Sequence, residues 1–399
     1  MIEVDPYAFL AMVGAAGAAA LVTSVAASRG LVVPVVVLEV LLGVIIGPQV
    51  LDWAQVDDFT EFFSALGLGM LFFFAGYEIN FARIRGAPLR LGGLGWLMSL
   101  GLAFSIGGLL VVLGVIESDL YTGSALTTTA IGTLIPILGD AGELRTRFGS
   151  FILAAGAIGE FGPILLLTLL LSASSPLHNA LLLVAFIAIA ILVAVLSVRT
   201  FHHAWSLFTL TPESSSQLAV RSVVLLVFLL GLAAAELGLD LLLGGFAAGM
   251  IVRLLFRGRE VETFESKLVA LAYGFLVPFF FISSGMSLDV VTLLEDASAL
   301  RKVPLFLVLF LAVRGSPAIL LYKKVLGTRD RLALATFSAT GLPMVVAITA
   351  IATSEGHMLR GTAAALVSAA VLSTLIFPLV GLWLRRAAGG DPAPAAAPA

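Results

Sequence analysis

Apolar residues run along this chain without the regular polar interruptions that mark an element wetted on one side. Thirteen such stretches can be read: 8–28, 31–47, 62–78, 92–115, 120–138, 148–171, 179–198, 218–235, 239–252, 268–287, 304–322, 331–353 and 359–383. A helix of roughly 20 apolar residues crosses a bilayer. In lipid every backbone group must be satisfied within the segment, which makes each stretch a predicted helix rather than a strand. The pattern therefore predicts an all-α polytopic membrane protein with 13 transmembrane helices.

The placement of charge supports that numbering. Of 22 Lys and Arg, eighteen fall in gaps, or in the span ends beside them, that an alternating path puts on one side, and Arg301, Lys302 and Arg360 fall on the other. The remaining one, Arg314, lies inside a span. The bias of basic residues towards the inner face places the N-terminus outside and the C-terminus inside, and the cytoplasmic (inner) membrane is the expected location. Composition agrees: 60% of the 399 residues are hydrophobic and 12% charged, against about 25% charged in soluble domains, and the mean hydropathy is +1.11. With no Cys, disulfides and thiolate chemistry are excluded. Glu3 and Asp5 stand where a signal peptide would be basic, and 387–399 has the composition of a disordered tail. Nothing calls for a cofactor or a nucleic acid.

The chain also repeats. Gly43-x-x-x-Gly47 recurs as Gly245-x-x-x-Gly249, Phe72-Phe73-Phe74 as Phe279-Phe280-Phe281, and the Gly132/Pro136 break of the fifth span as Gly341/Pro343 in the twelfth, at offsets of 202, 207 and 209 residues. Seven spans separate the copies of each pair, so the copies are inverted. The result is a 6+1+6 inverted repeat with two crossed, broken helices, the pattern of secondary transporters, whose sites lie near the midplane.

Chemistry is sparse. Glu160 sits midway along the sixth span between Gly159 and Gly162. An ionised carboxylate there costs on the order of 3 kcal/mol and must pair, bind a cation or take a proton. Arg314 keeps its charge and needs a partner, for which Glu160 or the C-terminal end of a helix is expected. Thr127, Thr128 and Thr129 offer oxygens to a hard cation, or bond back to their own helix. Ser338 and Thr340 at the second break are accessory candidates. Glu39 in the second span lines an entry path or bonds across it. Glu78 reads as interfacial, and His202 and His203 as solvated.

PVVVLEVLLGVIIGPQVL (34–51), LGMLFFFAGYEIN (68–80), ALTTTAIGTLIPIL (125–138), ILAAGAIGEFGPILLLTLLL (152–171) and PFFFISSGMSLD (278–289) resemble the bacterial monovalent cation:proton antiporters, in particular the Kef-type potassium/proton and NapA-like sodium/proton exchangers. The resemblance implies a NapA-like fold and a homodimer, with a dimer (panel) domain of 1–90 and 218–300, a mobile core of 91–178 and 301–386, and a linker over 179–217. It implies that Na+ or K+ and H+ share Glu160, with Thr128 and Thr129 at the break and Arg314 as the basic residue of the core. Gly159 departs from the polar residue that the family carries there. One carboxylate beside a fixed Arg implies one cation exchanged for one proton with no net charge moved. The alternatives are an organic-anion symporter of the same architecture, an exchange-deficient relative, and a membrane-embedded enzyme. The last lacks paired acids or a His-Asp constellation.

Overall fold

The computed structural model describes residues 5–29, 33–77, 84–170, 181–196, 217–237, 241–255 and 260–387. Glu78, His202, His203 and the tail from 388 lie outside them. The described residues are helical with no strand, and eight helices are long and apolar enough to cross a membrane, from Pro6–Ser28 to Arg360–Arg386. This is a multi-pass membrane protein.

The chain divides into two compact units. One comprises 1–5, 56–80 and 164–283, and the other 6–55, 81–163 and 284–399.

In the first unit glycines set the packing. Apolar helices gain no hydrophobic drive from meeting in lipid, so close backbone approach through small residues takes its place. A Cβ on Gly76 would strike the carbonyl of Phe246, one on Gly249 the carbonyl of Phe73, and one on Gly67 the carbonyl of Leu276. The helices Asp58–Tyr77 and Leu241–Leu255 thus touch backbone to backbone. Gly76→Ala is expected to lower stability by about 1–3 kcal/mol through overpacking, read as a lower unfolding midpoint in detergent. Gly14→Ala, in the other unit, where a Cβ meets nothing within 4 Å, is expected to be neutral or slightly stabilising.

The second unit contains two helices that stop and restart. Asp119–Leu126 is followed, after Thr127–Ala130, by Ile131–Asp140. Thr328–Ser338 is followed, after Ala339–Gly341, by Leu342–Ser354. The first interruption lies at the threonines and not at Gly132 and Pro136, as the sequence suggested. Gly132 belongs to the first turn of the restarted helix, and Pro136 lies inside it.

Hydrogen bonds explain the shift. The hydroxyls of Thr127 and Thr128 donate back to the carbonyls of Ser124 and Ala125, each at 2.8 Å, which competes with the helical ladder. The N–H groups of Thr129 and Ala130 leave the helix altogether, for the carbonyls of Gly159 at 3.1 Å and Thr340 at 2.6 Å. The second break falls where it was expected. Gly341 starts the helix and Pro343 occupies its first turn, where a missing N–H costs nothing.

An apolar cluster that includes Leu134, Leu138, Phe148, Ile152, Leu334 and Phe337 packs the halves Ile131–Asp140 and Thr328–Ser338 together. Gly142, at φ +73° and ψ 3°, turns the chain after the first of these halves and delivers Glu143. The buried Arg385 at the end of the last helix meets Glu143 through two hydrogen bonds of 3.0 and 2.9 Å and Asp330 at 2.6 Å. Its guanidinium lies 4.4 Å from the Phe148 ring centroid.

Candidate ion site at the helix breaks

The two interruptions meet through the Ala130–Thr340 bond and through the Thr129 hydroxyl, which donates to the Ser338 carbonyl at 2.5 Å. Thr128 lies alongside, with its hydroxyl 3.5 Å from the Gly341 carbonyl. Four half-helix ends are thereby gathered in one place. Their unpaired N–H and C=O groups carry partial positive and negative charge respectively.

Glu160 and Arg314, both 4% exposed, each answer one of these ends. The Glu160 carboxyl lies beside the backbone N–H groups of Ile131 and Gly132, in the first turn of a restarted helix, where an anionic group is favoured. One of its oxygens, Oε2, is buried without a hydrogen-bond partner. Arg314 reaches the opposite kind of end. Its Nε donates to Thr129 Oγ1 at 2.9 Å and, at 3.4 Å, to the carbonyl of Ser338, the last residue of a half-helix. Nη2 donates to Thr129 Oγ1 at 2.7 Å and to the Ala155 carbonyl at 3.1 Å, and Nη1 to Ser99 Oγ at 3.3 Å. Arg314 sits in a π-helical turn, Leu311–Gly315, a distortion frequent at functional sites.

Among the described residues no ion pair joins Glu160 to Arg314. Of the two partners expected for Arg314, the helix end is the one present and the carboxylate is not. Neutral acceptors on four segments hold the guanidinium, and the carboxylate keeps an oxygen for another occupant.

The remaining candidates divide. Thr129 is committed to Arg314 and Ser338, so its hydroxyl braces the site. Thr128 bonds back to its own helix. Ser338 contributes its carbonyl. Thr340 has a fully buried hydroxyl with no partner, the second orphaned oxygen at the crossing. Glu39 is 3% exposed in the Val35–Ile46 helix, away from both breaks in sequence. Sequence reasoning missed Ser99 and Ala155, which hold Arg314. Ser99 carried a signal, as a polar residue in the apolar Ala87–Val112 helix, whereas a backbone carbonyl carries none. An acid oxygen and a hydroxyl left unpaired beside helix ends suit a hard monovalent cation or a proton.

Comparison with known proteins follows the same direction. Residues 17–384 match the transmembrane sodium/hydrogen exchanger family. The chain is 26% identical over 366 residues to a Bacillus subtilis protein named "Putative Na(+)/H(+) antiporter YjbQ", covering 87% of this chain and 58% of that protein. It is 26% identical over 268 residues to the Na(+)/H(+)-K(+) antiporter GerN of Bacillus cereus, covering 64% of this chain and 65% of that one. The chain thus spans less than two thirds of the length of either relative. Both are named as antiporters, which are transporters and not enzymes. The sodium proton antiporter MjNhaP1 of Methanocaldococcus jannaschii shares the fold, with a TM-score of 0.65 at 17% identity over 96% of this chain and 97% of that one.

Proposed function

This chain belongs to the sodium/hydrogen exchanger family, and on that premise we propose that it exchanges a monovalent cation, Na+ or K+, for H+, with Glu160 as the shared carrier. The observation that carries the proposal is the Glu160 carboxyl, buried at the meeting of two broken helices, with one oxygen free and, among the described residues, no basic partner. A cation and a proton that use the same oxygen exclude each other, and mutual exclusion makes a carrier an exchanger. Na+ is common to the names of both relatives, and K+ appears in that of GerN.

The proposed path has 13 spans in an inverted repeat. Two contacts favour the repeat independently of sequence matching. A Cβ on Gly76 meets the carbonyl of Phe246 and the nitrogen of Met250, and a Cβ on Gly285 meets the carbonyl of Val40 and the nitrogen of Val44. The pattern is the same, and it relates 76 to 285 and 246 to 40 at offsets of 209 and 206. It slides the match between the second and ninth spans by one helical turn from the glycine alignment, which brings all the offsets closer together.

The core of 91–178 and 301–386 is proposed to move as one body in an elevator motion against a panel of 1–90 and 218–300 that forms the homodimer. Support comes from polar ties that join the two parts of the core to each other. Arg385 binds Glu143, Lys302 and Thr362 meet Glu117, and the Tyr121 hydroxyl donates to Glu355.

Arg314 holds one positive charge whether Glu160 carries Na+, K+ or H+. Both loaded forms therefore have equal charge, and the exchange is one for one without net current. In proteoliposomes carrying a pH dye, a Na+ or K+ pulse is expected to alkalinise an acid lumen at a rate unchanged when valinomycin and K+ clamp the potential at different values. A rate that follows the potential contradicts the stoichiometry, and no cation-dependent pH change contradicts the exchange.

A further inference from the structure

We propose that Gly159 is the seat of the Arg314 guanidinium, and that this pairing sets how tightly the cation is held at Glu160. The inference rests on the exchange reading above and adds to it a residue that governs affinity without touching the ion.

A Cβ built on Gly159 would lie 2.5 Å from Nη2 of Arg314, 2.7 Å from Oγ1 of Thr129 and 2.9 Å from Cβ of Thr129. The guanidinium thus occupies the volume in which any side chain at 159 would begin. Its outer nitrogen also reaches the Ala155 carbonyl, one turn earlier on the same helix, which is accessible because position 159 is bare. Thr129 cannot retreat. The Thr129 hydroxyl is fixed by its bond to Ser338, and the Thr129 N–H is held by the carbonyl of Gly159 itself.

A methyl group at 159 therefore displaces Nη2. A buried guanidinium that loses its acceptors takes the most negative group within reach, since leaving the charge unpaired is costly. The residue next to Gly159 is Glu160, whose Oε2 is buried and unpaired. In the native chain the bare seat keeps Arg314 on neutral acceptors, and Glu160 remains available to its cargo. With the seat filled, Arg314 turns to the carboxylate and competes with the cation for it. Gly159 and Arg314 are positioning residues in this account.

Of Arg314 it is Nη2 that comes nearest the seat, and lysine has no such second arm. The test is a double-mutant cycle in which neighbours that act through one contact fail to add. Wild type, Gly159→Ala, Arg314→Lys and the double variant are reconstituted, and the rate of lumenal pH change is measured against Na+ concentration. Gly159→Ala is expected to raise the half-saturating Na+ concentration about tenfold with the maximal rate within about twofold, the sign of lost ground-state binding. Arg314→Lys is expected to raise it about threefold, because a bidentate fork is lost. The double variant is expected to match Arg314→Lys.

Effects that multiply in the double variant, or a Gly159→Ala variant that behaves as wild type, overturn the proposal. Unfolding midpoints of the four purified proteins give a second reading, in which Gly159→Ala lowers the midpoint more with Arg314 present than with Lys in its place. That reading decides the seat even if Gly159→Ala fails to reconstitute. It also separates the two failures, because a wild type without Na+-dependent pH change refutes the exchange, while an additive midpoint cycle refutes the seat.

Discussion

Replacing Glu160 with Gln is expected to reduce cation-induced pH change in proteoliposomes to that of protein-free vesicles while leaving the protein folded. The amide has nearly the shape of the carboxyl, and its oxygen can still lie beside the N–H groups of Ile131 and Gly132. The half-helix keeps a polar neighbour at its start, so the unfolding midpoint is expected to stay close to that of the wild type. The amide has neither a proton to release at accessible pH nor a negative charge to offer a cation. Both halves of the exchange are lost at once. Asp at the same position keeps the charge on a shorter stem, and is expected to retain exchange at a reduced rate. A Gln variant that exchanges at the wild-type rate would remove the carrier from the account.

The second large effect concerns stability. Arg385→Met is expected to destabilise the protein by about 3–5 kcal/mol, the cost of breaking a buried pair and leaving its partners charged. Arg385 is 2% exposed and serves Glu143 and Asp330 together. Met fills much of the volume against Phe148, so the loss reports charge more than packing. Removing one of the stranded charges as well, in Arg385→Met/Glu143→Gln, is expected to recover part of the midpoint. If the double variant is less stable than Arg385→Met, the network does not work through its charges.

The helices were legible because lipid leaves few choices. A backbone that cannot bond to water must bond to itself, and the apolar stretches mark where it does so. The second break was equally legible, since Gly341 and Pro343 impose it locally. The first break fell several residues earlier than Gly132 and Pro136 suggested because its causes are tertiary. Thr129 and Ala130 send their N–H groups to Gly159 and Thr340, and no property of 125–138 alone reveals those acceptors.

The choice of partner for Arg314 was undecidable for a similar reason. A carboxylate and a helix end both satisfy a guanidinium, and only the position of Ser338 and Thr129 selects between them. Arg385 was legible as one more basic residue near the end of a span. Its acids lie 242 and 55 residues away in sequence, and nothing in the sequence around either marks it as the partner of a buried arginine.

The most direct test is to titrate the purified wild type with NaCl by calorimetry in two buffers of different ionisation enthalpy, near the pH at which Glu160 is half protonated. The difference between the two heats counts the protons released on binding. One carboxyl contested by two ions predicts that Na+ binding displaces a fraction of a proton that rises towards one as the pH is lowered, and that Glu160→Gln shows neither binding nor release. Na+ binding with no proton released at any pH, or binding that survives in the Gln variant, would contradict it.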